Sequence, residues 1–172
     1  LLADGAKMAK SKGNDYTLDD LQKRGFEPLA FRYLCLTARY RTRLDFTFYS
    51  LRAAQRGLLS LRNRVWRWTL TPSTADQHEP REKYWRAEFW RRVNSDLDLP
   101  GALAIAWTVA RSDLPPHVRY RLVLGFDRVL GLGLDQVSQA YRVPHEVSSL
   151  VEERAELRRS RHYLPADQAR AQ

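Results

Sequence analysis

The chain has little of what staples small secreted domains or anchors membrane proteins. Of its 172 residues only Cys35 is a cysteine, which excludes an internal disulfide framework and any metal site built on clustered thiolates. Cys35 stands at helical spacing from Phe31 and Ala38 and reads as a small buried hydrophobe. No apolar run approaches the ~20 residues of a membrane span, and no leader-type segment opens the chain. No membrane partner is therefore expected, and the expected location is cytoplasmic. His78, His117, His145 and His162 are scattered without ligand spacing; no metal is expected, and each reads as a surface or capping residue. Lysine is scarce too, with five among twenty-nine basic residues. The chain starts at Leu1 rather than methionine, and it is expected to be a piece of something longer.

What is present suits a folded domain. Hydrophobic residues make up 44% and aromatics 11%, enough to bury a core in one sizeable domain or a domain with an appendage. The formal charge of +9 is uneven: fourteen Lys and Arg face six Asp and Glu through Leu70, and fifteen face fourteen from Thr71 onward. The excess near the front favours a polyanionic partner there. The bland alternative is an arginine-rich coding bias.

The periodicity is helical almost throughout. Leu1 to Ala6 reads as a strand end and a tight Asp-Gly turn. Thr17 caps a helix over 18–24 that stops at Gly25, and Pro28 opens a second to Tyr40 with Leu29, Ala30, Tyr33, Leu34 and Thr37 as its apolar stripe. Thr47 starts the longest helix, to Thr69, with a seam of Phe48, Leu51, Ala54, Leu58, Leu61, Val65 and Trp68. Off that seam stand Arg52, Arg56, Arg62, Arg64 and Arg67, read as a basic solvent face. A Pro/Ser/Thr-rich connection over 71–80 follows. Further helices are expected over 81–94 (Trp85, Phe89, Val93 inward), from Leu99 (Leu103, Ala106, Trp107, Ala110 inward), and over 117–130 around Tyr120, Val123, Leu124 and Val129. Charged helices are expected from Pro144 and from Pro165. The expected fold is all-α: a helical bundle behind a short strand and loop, organised as 1–45, 46–140 and 141–172.

Lys7-Met8-Ala9-Lys10-Ser11-Lys12-Gly13-Asn14 places three ammonium groups within six positions on a loop-forming stretch. Read alone, it is either a mobile cradle for polyphosphate or a solvated surface loop. It resembles the K-M-S-K-S signature of class I aminoacyl-tRNA synthetases, with Ala9 in place of the first serine. Later segments resemble the cysteinyl-tRNA synthetase family in that family's order. They are Gly25 to Pro28, Phe31 to Leu34, Ala38 to Arg41 with Leu44 to Thr47, Phe89 to Leu103, Phe126 to Leu132, and Leu150 to Arg159 with Ala166 to Gln168. Within them Arg39 stands where the family typically has histidine, and Asp98-Leu99 replaces its usual Asn-Thr.

The resemblance implies the connection between catalytic and helical domains up to about Arg43, followed by the helical domain that lies along tRNA. It implies that Lys10, supported by Lys7, stabilises departing pyrophosphate during amino-acid activation, and that Lys7, Lys10 and Ser11 bind ATP phosphates. Arg39, Arg41, Arg43, Arg52 and Arg56 are the candidate RNA contacts. No H-I-G-H-type sequence is present, so ATP with magnesium, and the thiolate-binding zinc of the family, are expected to need an upstream class I catalytic domain. The chain alone is expected to be inactive and monomeric, and to stop before any terminal anticodon-reading segment. Two alternatives remain: a related cysteine ligase with an amino-sugar acceptor, and a non-catalytic RNA-binding or interaction module.

Overall fold

Capping chemistry sets where the first helices begin. In the computed structural model, which describes residues 2–3, 6–7, 9, 15–71 and 80–136, α1 (Leu18–Lys23) opens on a capping box. Thr17 Oγ1 accepts from the Asp20 N–H at 3.2 Å, and the Asp20 carboxylate accepts from the Thr17 N–H at 2.9 Å. The same reciprocal device, Thr47 with Ser50, opens α3 (Phe48–Thr69), satisfying N–H groups that have no partner inside the helix. Between them lie α2 (Pro28–Leu36), with proline in its first turn, and the short strand β3 (Asp45–Phe46). After α3 come α4 (Pro80–Asn94), α5 (Leu99–Arg111) and α6 (Pro116–Leu130). The described residues all fall in the unit Leu1–Val137. The helices expected from Pro144 and Pro165, and nearly all of the 71–80 connection, lie outside the described residues.

The fold is all-α, as the periodicity requires, with a three-stranded patch of two-residue strands at the front. β1 (Leu2–Ala3) pairs antiparallel with β2 (Ala6–Lys7) and parallel with β3. The third strand has no counterpart in the sequence reading, because two residues are too few to show alternation.

The α3 seam is buried from Leu51 through Ala54, Leu58, Leu61 and Val65 to Trp68, with Phe48 half-buried. α2 crosses it, and Gly57 is what lets it approach: a Cβ there would stand 2.9 Å from the Tyr33 hydroxyl. That hydroxyl accepts a 2.8 Å hydrogen bond from Trp107 Nε1, which leaves Trp107 half-buried at the α2–α5 contact instead of deep in the core.

Three expectations are corrected. α2 ends at Leu36 and not Tyr40, because Thr37 Oγ1 donates to the Leu34 carbonyl at 2.6 Å and the chain then turns through Arg39–Thr42. Thr37 is consequently exposed. Cys35 is exposed as well, on the side of α2 away from Ala30, Tyr33 and Leu34, where it lines an open cleft with Arg32, Arg39 and Leu99. Partial burial of the thiol raises its pKa, opposed by the Arg32 charge. Finally α6 buries Val123 as expected, but with Val118, Leu122, Phe126 and Leu130 in place of Tyr120, Leu124 and Val129, which are half-buried. The Phe126 ring stacks on Phe89 at 4.2 Å between centroids, and that contact fixes which stripe faces inward.

The end of α6 is tied back to the front helices. Gly131 takes the left-handed conformation (φ +62°) as C-cap, and the Asp127 carboxylate accepts from the Leu132 and Leu134 N–H groups at 2.7 and 2.8 Å. Arg32 Nε donates to the Leu130 carbonyl at 2.5 Å, and Arg62 donates to Leu132 at 3.0 Å while pairing with Glu27 at 2.6 Å. Arg62 is thus not part of the solvent face. Its side chain is 12% exposed and fastens α3 to the segment after α6.

Candidate nucleic-acid interface

Among the described residues the outer face of α3 stands apart from the other helix surfaces. The 22-residue helix carries Arg52, Arg56, Arg62, Arg64 and Arg67 and not one aspartate or glutamate. Tyr49, Arg52, Arg56, Ser60, Asn63 and Arg67 follow one another in steps of three or four, so they form a single stripe, and every one of them is exposed. Tyr49, 79% exposed, is a bare aromatic at its start. Among the described residues Arg52, Arg56 and Arg67 pair with no carboxylate. Towards the C-terminal half, Arg56, Ser60, Asn63, Arg64 and Arg67 line an open groove of about 340 Å³. A stripe with no counter-charge keeps its full field, and its guanidinium N–H donors remain available for phosphate oxygens.

The other three arginines predicted from sequence divide. Arg39 and Arg41 are held against the turn between α4 and α5: Arg39 Nε lies 3.8 Å from Asp98, and Arg41 lies 3.8 Å from Asp96. Arg41 Nε also donates to the Tyr40 hydroxyl at 2.7 Å, which in turn donates to Asp96 at 2.8 Å. The turn adopts left-handed backbone at two non-glycine residues, Asp96 (φ 50°) and Leu97 (φ 52°), a conformation that costs about 1–3 kcal/mol at each position. Asp98, 7% exposed, caps α5 by accepting from the Gly101 N–H and bonds Arg92 at 3.2 Å. Burial acts to raise the Asp98 pKa, but Arg92, the Gly101 N–H and the Arg39 charge outweigh it and hold the carboxyl below the ordinary aspartate value. Arg43 is exposed and has no carboxylate partner among the described residues.

Arg52, Arg56 and Arg67, read from the sequence as part of a basic solvent face, are exposed, though only the first two are RNA-contact candidates on that reading. Tyr49, Ser60 and Asn63 continue the same stripe, and the three-and-four spacing that finds the buried seam would have found them.

The lysine motif enters the structure through the small sheet. The Lys7 backbone belongs to β2, opposite Leu2, while Leu2 and Ala3 on their other edge face Asp45 and Phe46. β3 ends one residue before the Thr47 cap of α3. Strand pairing thus ties the start of the motif to the origin of the arginine helix. Lys10 and Ser11 lie outside the described residues. Among the described residues no group of three or more His, Cys, Asp and Glu is arranged to hold a metal ion, and no helix is long and apolar enough to cross a membrane.

Fold and face together define an all-α module with a carboxylate-free basic helix, entered from a lysine-bearing hairpin. No family model matches the chain. It is 44% identical over 165 residues to cysteine–tRNA ligase 1 of Burkholderia lata, covering 95% of this chain and 34% of that protein. It is 38% identical over 174 residues to the cysteine–tRNA ligase of Opitutus terrae (99% and 35%) and 33% identical over 190 residues to that of Borrelia turicatae (99% and 39%). Over its own length the chain belongs to the cysteinyl-tRNA synthetase family, as a C-terminal portion of it. It spans little more than a third of these curated relatives.

Proposed function

We propose that this chain is the tRNA-contacting helical part of a cysteine–tRNA ligase, together with the loop that handles the phosphates of ATP. The observation that carries the reading is the α3 stripe: exposed arginines, no carboxylate on the helix, and an exposed tyrosine at its head, in a chain whose relatives are named cysteine–tRNA ligases. Arg43, Arg52, Arg56 and Arg67 would neutralise tRNA phosphates, and shape and backbone contacts would dominate because duplex RNA hides its base edges. Arg39 and Arg41 would serve from the α4–α5 turn, where Asp96 and Asp98 preset their positions.

In the activation step the cysteine carboxylate attacks the α-phosphorus of ATP and pyrophosphate leaves. Charge accumulates on the leaving oxygens, so an ammonium aimed there stabilises the transition state more than bound ATP. Lys10 is assigned that role, with Lys7 supporting and Ser11 completing the phosphate contacts. The nucleotide pocket and the thiol-recognising zinc would belong to an upstream catalytic domain. The unpaired stripe favours tRNA over an amino-sugar acceptor, since a small acceptor gains nothing from an extended basic face.

The test uses the whole protein that carries this chain. Cysteine-dependent pyrophosphate exchange should fall roughly 10²–10³-fold in Lys10→Ala, and tRNA charging should fall with it. Unchanged exchange would reject the loop assignment, and intact exchange with no charging of any tRNA would favour the amino-sugar acceptor.

A further inference from the structure

Beside the stripe, where α3, α5 and α6 meet, stands a second concentration of positive charge. Arg64 of α3 and Arg111 of α5 both lie over the Trp107 ring, with guanidinium carbons 6.0 and 4.6 Å from its centroid. Arg119 of α6 lies over Trp68 at 5.1 Å. Among the described residues none of the three arginines pairs with a carboxylate. Asp113, the acidic side chain nearest in sequence, is taken by Arg81 at 2.9 Å. The Nε atoms of Arg64 and Arg119 are both buried, and neither finds an acceptor. Burial, and then the charge of Arg64, lower the proton affinity of Arg119 from the ordinary arginine value. Partly desolvated like charges with unsatisfied donors are unfavourable unless an anion completes them.

We propose that Arg64, Arg111 and Arg119 form a discrete phosphate-binding site at this junction. The two tryptophan rings sit against the guanidinium groups; Arg119 Nη1 donates to the Ser112 carbonyl at 3.4 Å, and the remaining N–H groups of the three arginines are left for the contacts that phosphate oxygens accept. Arg64 also lines the groove with Arg56 and Arg67, so a backbone running along the stripe reaches the site without a break. The assignment of RNA as the source of that phosphate rests on the tRNA reading above. The site itself rests on its own geometry, and inorganic phosphate is the other source of the same chemistry.

The experiment titrates the full 172-residue chain with sodium phosphate against sodium chloride at equal ionic strength. It follows the arginine Nε–H NMR resonances and the melting temperature, and in parallel measures the salt dependence of tRNA binding. Saturable shifts of the Arg64 and Arg119 resonances are expected, with a melting temperature higher in phosphate than in chloride. Arg119→Gln and Arg64→Gln should each abolish the phosphate-specific rise and lower the tRNA salt slope by about 1. Should Arg119→Gln fail to fold, Arg64→Gln and Arg111→Gln carry the same test. Phosphate shifts without any tRNA binding would keep the site and reject the tRNA reading. tRNA binding that depends on Arg52 and Arg56, with no phosphate-specific shift and unaltered slopes in Arg64→Gln and Arg119→Gln, would overturn the site and keep that reading.

Discussion

Helices α3 and α4 carry five basic side chains each and dispose of them in opposite ways. On α4, Arg86 pairs with Glu82, Arg91 with Glu88, Arg92 with Asp98 and Arg81 with Asp113. Glu82 takes a second arginine, Arg121, at 2.6 Å. On α3 there is no carboxylate in the whole helix, and only Arg62 is paired among the described residues, inward to Glu27. Basic residues therefore mean different things on the two surfaces. The α4 arginines spend their donors on neighbours and contribute modestly to the bundle; the outer-stripe arginines of α3, Arg52, Arg56 and Arg67, contribute a field and idle donors. A count of charges does not separate these cases, whereas the position of the acids does.

The largest effect tests the floor under the stripe and not the stripe itself. Leu58 is fully buried, and Leu58→Ala should destabilise the protein by about 2–5 kcal/mol in denaturant melts. It should leave RNA affinity intact below the transition, because the outer face is untouched. Next comes the face: Arg52→Gln with Arg56→Gln should weaken tRNA binding roughly 100-fold near 0.1 M salt, about tenfold for each phosphate left without its arginine. Stability should stay within about 0.5 kcal/mol. The paired counterpart, Arg86→Gln with Arg91→Gln, should do the reverse, and a drop in RNA affinity there as large as on α3 would erase the distinction.

Smaller effects concern how each helix is held. Thr47→Ala removes the capping box of α3 and should cost about 1 kcal/mol, with fraying at 48–51 visible in amide exchange. Glu82→Gln should cost roughly 0.5–1 kcal/mol, a modest figure because both partner arginines are partly exposed. The Glu82 pKa is lowered from 4.5, first by the Arg121 hydrogen bond, against desolvation and with help from Arg86. A carboxylate depressed on folding contributes stability that is present above its ordinary value and lost as pH falls through the depressed one. Wild-type protein should thus lose this increment below about pH 4.5, and Glu82→Gln should not. The outer stripe of α3, having no carboxylate, should show no such acid-dependent component.

Much of this architecture is legible in the residues. The two threonine caps, the stop at Gly25 and the seam of α3 from Leu51 to Trp68 follow from local chemistry and spacing, and each stands where the pattern places it. What escapes a sequence reading is set by contacts between distant segments. The inward face of α6 is fixed by the Phe89–Phe126 stack; Val118, Leu122, Phe126 and Leu130 do recur every four residues, whereas Tyr120 and Val129, read as inward from the sequence, stand on opposite sides of the helix. Arg62 looks like its neighbours until Glu27 and the Leu132 carbonyl are brought beside it. Cys35 shares its spacing with Phe31 and Ala38, which are only half-buried, and itself faces outward, since α2 packs on α3 through Tyr33 and Gly57. The phosphate-site arginines are invisible for the same reason: Arg64, Arg111 and Arg119 come from three helices.

The salt dependence of the full chain's affinity for tRNA is the decisive measurement. Binding measured between 50 and 200 mM KCl should give a log–log slope of about −3 or steeper, as expected when at least three or four phosphates are neutralised, and Arg52→Gln with Arg56→Gln should flatten it by about 2. A slope near zero, or one unmoved by removing those two arginines, would contradict the claim that the face of α3 is where the protein meets RNA.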